Sequence, residues 1–354
     1  MNVKTFYSLG SAFSFTLIFT IQAENIVFPP DAGVVDVTKA PYNAKGDGRT
    51  DDTQAIQQAL ADHPNQGAII YLPNGTYLIS NTLKWPHGTR GGVEEKNTIL
   101  QGQSRDGAVI KLADHCPGFH DPKQRKGLIW TGRKPAQRFR NAVRNLTFDT
   151  GKGNPGAAGV QFMANNQGGV FDVRIRSGDG SGPVGLDLAY TDEQGPCLIK
   201  NVEVVGFDVG IRTAFAVDSV TFEHITLRGQ KEFGLRNDGQ VVSIRGLKSF
   251  NAVPAVFNGG GASLMTLVDC TLAGQDAGNK PAIITDGALY ARNIKTTGYA
   301  RAIQNHADTN RIAEGLQIAE FTSLPSLNLF PSPSRSLGLP IEETPVVPWD
   351  DLKD

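Results

Sequence analysis

Two interleaved rows of short apolar runs constrain the fold of this chain more than any other feature. From residue 143 onward, each row returns at a spacing of roughly 20 to 29 residues. The first row is marked by Asn145-Leu146, Asp172-Val173, Asn201-Val202, His224-Ile225, Gly246-Leu247 and Asn293-Ile294. The second row is marked by Gly159-Val160, Gly185-Leu186, Gly210-Ile211, Gly234-Leu235, Ala255-Val256 and Ala282-Ile283. Two rows that share one period predict stacked short strands rather than a doubly wound sheet with helices between strands.

Alternation within each run separates inward from outward side chains, because successive side chains of a strand point to opposite faces. In the run 172–176, Val173 and Ile175 are expected to point inward and Arg174 outward. Stacking of the first row places Arg174 beside Glu203. Stacking of the second row predicts an outward column that consists of Gln161, Asp187, Arg212 and Arg236.

The stretch from Tyr42 to Leu60, which reads YNAKGDGRTDDTQAIQQAL, predicts a glycine-rich turn followed by a short helix. Thr50 is the expected N-cap, and the two aspartates after it would then lie in the first turn, where carboxylates favour the positive end of the helix. Helical spacing gives this segment one apolar face, formed by Ala55, Ile56, Ala59 and Leu60.

This stretch resembles the opening of the pectate-lyase-like superfamily, in which such a helix closes the N-terminal end of the fold. The resemblance implies an all-β protein, a single-stranded right-handed parallel β-helix with a short N-terminal capping α-helix. Residues 137–149 (QRFRNAVRNLTFD) and the ending PVVPWDD are similar to glycoside hydrolase family 55, the β-1,3-glucanases. That similarity implies either the first half of a pair of β-helices, with a second β-helix domain as partner, or a stand-alone relative. The catalytic acid of that family lies in its second half, so no catalytic residue is carried over.

The N-terminus has the layout of a secretory signal peptide, with Lys4 before the mostly apolar run 6–21 and an expected cleavage after Ala23. The predicted domains are a signal peptide over 1–23, a β-helix over 24–322 and a proline-rich linker or tail over 323–354. The protein is therefore expected to be secreted or periplasmic. No later apolar stretch could cross a membrane after processing.

The charge balance and the cysteines limit the ligands that the protein is expected to bind. Lys and Arg total 34 and Asp and Glu total 35, so no excess of positive charge favours nucleic acid. The three cysteines form no CxxC pair and are expected to be buried thiols. We predict no metal and no cofactor.

Candidate site residues come from the outward positions and the loops beside them. Paired carboxylates can act as acid and base in glycoside cleavage, and the densest group in the repeats predicts Asp187, Asp192 and Glu193 as catalytic. An aromatic residue among basic ones could grip a polysaccharide, which predicts Trp130, Arg133, Arg174 and Arg212 as substrate-binding. The alternative is structural: Asp187 pairs with Arg212 on the next coil, and the arginines form a surface charge ladder.

Two functions of different class follow. The first is a secreted carbohydrate-active protein that cleaves a polysaccharide substrate, either as a β-glucanase-like glycoside hydrolase or as a polysaccharide lyase. The second is a non-catalytic carbohydrate-binding β-helix module that works beside a second domain.

Overall fold

The computed structural model of the protein describes residues 28–29, 31–86, 96–133, 138–191, 194–215, 219–260, 263–326, 329–331, 338 and 340–342. The predicted signal peptide and most of the predicted tail lie outside these residues. The described residues form one helix and 26 strands.

The elements of the N-terminal half, in chain order, are β1 (Val34–Asp36), β2 (Asp47–Asp51), α1 (Thr53–Asp62), β3 (Ile69–Leu72), β4 (Gly75–Ile79), β5 (Leu83–Lys84), β6 (Ile99–Gly102), β7 (Ala108–Leu112), β8 (Lys126–Trp130), β9 (Ala142–Asp149), β10 (Ala157–Gln161), β11 (Gly168–Arg176) and β12 (Val184–Leu188). Those of the C-terminal half are β13 (Cys197–Lys200), β14 (Glu203–Val205), β15 (Val209–Ala214), β16 (Ser219–Glu223), β17 (Thr226–Arg228), β18 (Phe233–Asp238), β19 (Val241–Arg245), β20 (Lys248–Asn251), β21 (Val256–Gly259), β22 (Leu264–Gly274), β23 (Pro281–Thr285), β24 (Ala288–Thr297), β25 (Arg301–Asn305) and β26 (Gln317–Thr322).

Strands from successive coils stack in parallel and form two sheets. A nine-stranded sheet takes one strand from each coil, in the order β5, β8, β10, β12, β15, β18, β21, β23 and β25. The other 17 strands form the second sheet, in which β26 pairs antiparallel with β24 at the C-terminal end. This architecture confirms the predicted right-handed parallel β-helix.

The first repeat row marks a bend in each coil, which lies within a strand in some coils and between two strands in others. The sequence-based interpretation of this row as strands is corrected in the second case. The first residue of each marker pair has a positive φ, between 50° and 71°, and Asp269 adds a seventh bend at 56°. In three coils the bend separates two strands, as Asn201 does between β13 and β14. Asn, Asp and Gly tolerate the left-handed region better than other residues. Stacked bends also bond to each other: Asn201 Nδ2 donates to Asp172 Oδ1 at 3.0 Å.

The second repeat row forms the apolar wall of the nine-stranded sheet. Val160 pairs with Leu186, Leu186 with Ile211 and Ile211 with Leu235, and all four side chains are fully buried. Val173 and Ile175 of the other sheet are also buried, as the alternation predicted. The core is therefore built from apolar residues that occupy equivalent positions on successive coils and stack on one another.

One stack inside the coil is polar. Thr213 Oγ1 donates to Asn237 Oδ1 at 2.8 Å, Asn237 Nδ2 to Asn258 Oδ1 at 3.0 Å, and Asn258 Nδ2 to Thr285 Oγ1 at 3.1 Å. All four side chains are fully buried. A buried polar group is tolerated only when it is hydrogen-bonded, and each member of this stack finds its partner on the next coil.

The helix begins later than the sequence predicted. Thr50 lies in β2, and Asp52 takes the N-cap position without a capping side-chain bond to the helix. The Asp52 carboxylate instead accepts hydrogen bonds from the backbone nitrogens of Lys45, at 2.7 Å, and Gly46, at 2.9 Å. It therefore holds the glycine-rich turn, and the predicted N-cap at Thr50 is wrong. The buried residues of α1 belong to the predicted apolar face: Ile56, Ala59 and Leu60.

Helix α1 closes the edge of the nine-stranded sheet through one side chain. Gln57 Nε2 donates to the carbonyl oxygen of Lys84 at 2.9 Å, and Gln57 Oε1 accepts from the Lys84 nitrogen at 2.8 Å. Lys84 belongs to β5, the first strand of this sheet. An unpaired strand edge is a template for aggregation, and this amide occupies the position that another strand would take.

We expect Gln57→Ala to lower the free energy of unfolding by about 1 to 3 kcal/mol, because it removes two hydrogen bonds to the strand edge. The matched control is Gln58→Ala, one residue along the same helix, where the exposed side chain donates a hydrogen bond to Asp62 Oδ1 within the helix. Denaturant unfolding measures both variants, and hydrogen exchange should accelerate at the Lys84 amide only in the Gln57 variant. Equal losses in the two variants would contradict the edge-closing role.

Candidate functional site

The outward column of the nine-stranded sheet is the candidate functional site. The strand register pairs Gln161 with Asp187, Asp187 with Arg212 and Arg212 with Arg236, which confirms the predicted column. The column continues past both ends of the prediction, to Trp130 before Gln161 and to Phe257 after Arg236. Charged and aromatic side chains are thereby aligned along the stacking direction of the coils.

Asp187 is covered by an arginine that the sequence did not place near it. Arg125 precedes β8 in the chain, and its Nε lies 2.8 Å from Asp187 Oδ2. The Asp187 side chain has 0% of its area exposed, whereas that of Arg125 has 27%. Arg125 is anchored further by a hydrogen bond from its Nη2 to the carbonyl oxygen of Ala189 at 3.0 Å. The expected ion pair between Asp187 and Arg212 is therefore replaced by one with Arg125.

The surroundings of Asp187 act on its pKa in opposite directions. Burial raises the pKa of this carboxyl above its ordinary value, since it disfavours the charged form. The ion pair with Arg125 and the hydrogen bonds from Gln161 Nε2, at 3.2 Å, and from the Ala189 nitrogen, at 3.1 Å, offset part of that rise. A raised pKa suits a proton donor, but the Arg125 side chain stands between Asp187 and the solvent.

Arg212 and Arg236 share one carboxylate. Arg212 Nε lies 3.1 Å from Asp238 Oδ2, and Arg236 Nε lies 2.9 Å from Asp238 Oδ1. The Arg236 guanidinium also lies 5.4 Å from the centre of the Phe257 ring and 5.8 Å from that of Phe233. These contacts give the two arginines fixed positions on the outer face.

A cavity of about 230 Å³ opens beside this column. Its lining residues are Arg125, Pro183, Val184, Asp208, Val209, Arg212, Glu232 and Arg236. Asp208 and Glu232 were not predicted as site residues. A signal for them exists in the sequence, because each lies two residues before a glycine of the second repeat row, Gly210 or Gly234.

The structure brings together some of the predicted site residues and separates others. Trp130, Asp187 and Arg212 share the outward column. Arg133 is exposed, three residues after Trp130 in the chain. Arg174 lies on β11 of the other sheet, where its Nε is 2.8 Å from Glu203 Oε2 and its Nη1 is 2.7 Å from Asp106 Oδ1. The predicted neighbour Glu203 is confirmed, but Arg174 is not part of this column.

Asp192 and Glu193, the other two predicted catalytic residues, lie outside the described residues. They follow β12 in the chain, five and six positions after Asp187. Their roles stay predictions.

Among the described residues, no group of three histidine, cysteine, aspartate or glutamate side chains is placed to hold a metal ion. The predicted buried thiols are confirmed: Cys116, Cys197 and Cys270 are buried and form no disulfide. No described helix has the length and apolar character needed to cross a membrane.

Comparison with protein-family models gives a match that covers more than half of the chain. Residues 35–280 match the family described as rhamnogalacturonase A/epimerase, pectate lyase-like. The chain belongs to this family. The assignment agrees with the coil architecture and with the superfamily resemblance of the N-terminal stretch.

Curated relatives of this pectate-lyase-like chain are much longer proteins. It is 51% identical over 88 residues to the non-secreted LysM effector LysM19 of Penicillium expansum, covering 23% of this chain and 7% of that one. It is 28% identical over 141 residues to a glucan 1,3-beta-glucosidase of Cochliobolus carbonum, with 39% and 16% covered. It is 40% identical over 74 residues to alginate lyase 7 of Azotobacter vinelandii, with 21% and 8% covered. The chain thus spans less than a fifth of the length of these relatives.

Solved structures share the fold of this pectate-lyase-like chain. The pre-mature gene product 12 of bacteriophage phi29 has a TM-score of 0.52 at 16% identity, covering 74% of this chain and 42% of that one. The A-module of the mannuronan C-5 epimerase AlgE6 of Azotobacter vinelandii has a TM-score of 0.50 at 15% identity, with 76% and 72% covered. At these identities the likeness shows the fold alone.

We expect Arg125→Met to destabilise the protein by about 3 to 5 kcal/mol near neutral pH, because it leaves the Asp187 carboxylate buried without its partner. The pKa of Asp187 is raised in the folded state and rises further without Arg125. Its protonated form therefore favours folding, and this contribution is lost as the pH rises through the folded-state pKa. The deficit relative to the parent should be small at about pH 4, near the ordinary carboxyl pKa, and should grow toward pH 7.

Thermal unfolding of parent and variant across this pH range measures the deficit. The double variant Arg125→Met with Asp187→Asn should recover most of the lost stability at neutral pH, since it removes the buried charge. A deficit that does not change with pH would contradict the ion-pair interpretation.

Proposed function

We propose that the protein binds and cleaves a polysaccharide on the outer face of its nine-stranded sheet. The observation that carries the proposal is the cavity beside the outward column. In this cavity, arginines and carboxylates lie next to the apolar residues Pro183, Val184 and Val209. Sugar rings present hydroxyl groups, which can bond to the charged side chains of this lining, and apolar faces, which can pack against its apolar side chains. A column along the stacked coils also matches the linear shape of a polysaccharide.

The family supports this proposal. It is a carbohydrate-active β-helix family, and the curated relatives include a glucan 1,3-beta-glucosidase and an alginate lyase. These names leave both glycoside hydrolysis and elimination as reaction classes. Hydrolysis is favoured by the carboxylates in the cavity, because glycoside hydrolases act with a pair of carboxyl groups.

Asp187, Asp192 and Glu193 are the catalytic residues predicted from the sequence. The burial of Asp187 beneath Arg125 suits a positioning role, in which its carboxylate holds the guanidinium against the cavity. Trp130, Arg133 and Arg212 are proposed to contact the substrate.

A non-catalytic carbohydrate-binding module is the second candidate. The specific observation in its favour is that Asp187 has no exposed area, so this carboxyl does not reach a substrate in the structure as it stands. The two candidates differ in one measurable outcome, the appearance of a product.

We also propose that the protein is exported, on the pattern of residues 1–23. N-terminal sequencing of the protein secreted by its own cells should then find Glu24 or a residue close to it as the first residue. A mature protein that retains Met1 would contradict export by this route.

We expect the protein to release reducing ends from at least one polysaccharide in a panel of β-1,3-glucan, polygalacturonate and alginate. Reducing-end assays detect hydrolysis, and absorbance of unsaturated products detects a lyase. Single variants Asp187→Asn, Asp192→Asn and Glu193→Gln test the sequence-based assignment. Binding without any product would favour the module, and neither binding nor product would overturn both candidates.

A further inference from the structure

Two carboxylates that line the cavity lie one above the other on neighbouring coils. Asp208 immediately precedes β15 and Glu232 immediately precedes β18. The strands that follow them pair Val209 with Phe233, and the Glu232 nitrogen donates to the Asp208 carbonyl oxygen at 2.8 Å. The two residues therefore occupy equivalent positions, and both face the same cavity.

Unlike the other charged groups of the site, these two carboxylates form no ion pair among the described residues. Each cavity arginine is held by an acidic residue: Arg125 by Asp187, and Arg212 and Arg236 by Asp238. Within the described part of the chain, by contrast, no ion pair or side-chain hydrogen bond engages the carboxyl of Asp208 or Glu232. Their oxygens are available to a ligand in the cavity.

The balance of charge around the cavity indicates the kind of sugar that would fit. Three guanidinium groups line it. They are opposed by their partners Asp187 and Asp238 and by the two carboxylates of Asp208 and Glu232. The site therefore has no excess positive charge to attract a polyanion, and like charges would repel a uronate placed beside Asp208 and Glu232. A neutral sugar with hydroxyl groups avoids that repulsion and can bond to both kinds of group.

We propose that Asp208 and Glu232 are the catalytic carboxyl pair of this cavity and that they hydrolyse a glycosidic bond of a neutral polysaccharide. This inference rests on the proposed function and assigns its chemistry to residues other than those predicted from the sequence. One carboxyl donates its proton to the glycosidic oxygen as the bond from that oxygen to C1 breaks. The other carboxylate takes a proton from a water molecule as the water oxygen forms a bond to C1. The products are two sugar chains, and one water molecule is consumed.

The spacing of the coils is compatible with this chemistry. Neighbouring strands lie roughly 4.8 Å apart, and the side chains of Asp and Glu differ in length by one methylene. The carboxyl groups can thus reach the separation of roughly 6.5 to 9.5 Å that leaves room for the attacking water molecule. Arg125, Arg212 and Arg236 lie around the same cavity, where their remaining N–H groups can position sugar hydroxyls.

The test compares Asp208→Asn and Glu232→Gln with the parent protein on soluble β-1,3-glucan, a neutral probe, and on polygalacturonate and alginate. We expect each variant to lower kcat on the glucan at least a hundredfold, the loss typical of removing a general acid or base. The melting temperature should stay that of the parent, because neither carboxyl has a side-chain partner to lose. Asp276→Asn and Glu314→Gln are the matched controls, since both side chains are exposed and lie outside the cavity lining, and they should keep full activity.

The outcomes separate this inference from the proposed function. Full activity in both cavity variants, with activity lost in Asp192→Asn or Glu193→Gln, would overturn the inference and leave the proposed function standing. If the parent acts on polygalacturonate or alginate but not on the glucan, the proposal of a neutral substrate is wrong. A parent that gives no product from any probe would overturn the proposed function, and the inference with it.

Discussion

The parallel pairing of each coil with the next is the interaction on which the rest of the structure depends. Because the register is kept from coil to coil, a residue lies above its equivalent, as Val160, Leu186 and Ile211 do in the apolar wall. A slip of one residue would turn every inward side chain outward. The same register lets a buried polar residue such as Asn237 find its hydrogen-bond partners on the coils above and below.

On the outer face, this register brings like charges together, and the sequence has to compensate. Arg212 and Arg236 are direct neighbours on adjacent strands, where like charges are destabilising. Asp238 relieves that repulsion by pairing with both. Asp187, which precedes Arg212 in the column, forms an ion pair with Arg125. The charged residues of the column thus form a fixed network of ion pairs, in which Arg212 pairs with Asp238 instead of the predicted Asp187.

Most of the architecture could be predicted from the sequence, because strand alternation and coil period are local patterns. The outward column and the pair formed by Arg174 and Glu203 followed from counting alone. The bends were misread because Asn201 and its equivalents repeat with the same period as the strands. Thr50 was misplaced because β2 runs up to Asp51, a tertiary pairing with β4 that the helical pattern does not contain. Arg125 could not be placed, since it lies 62 positions before Asp187 in the chain and reaches it only through the fold.

The two cavity carboxylates, Asp208 and Glu232, were missed for a different reason. The position two residues before the second-row marker lies just outside the strand, where alternation no longer says which way a side chain points. In the coils on either side this position is apolar, with Pro183 before Gly185 and Val253 before Ala255, whereas Asp208 and Glu232 occupy it in the two coils between. The fold tolerates an apolar residue at this place in the two flanking coils, so stacking alone does not require the two carboxylates. A change confined to two neighbouring coils also creates one short site rather than a feature of the whole solenoid. That restriction agrees with a cavity of about 230 Å³ whose lining comes from neighbouring coils rather than from the whole column.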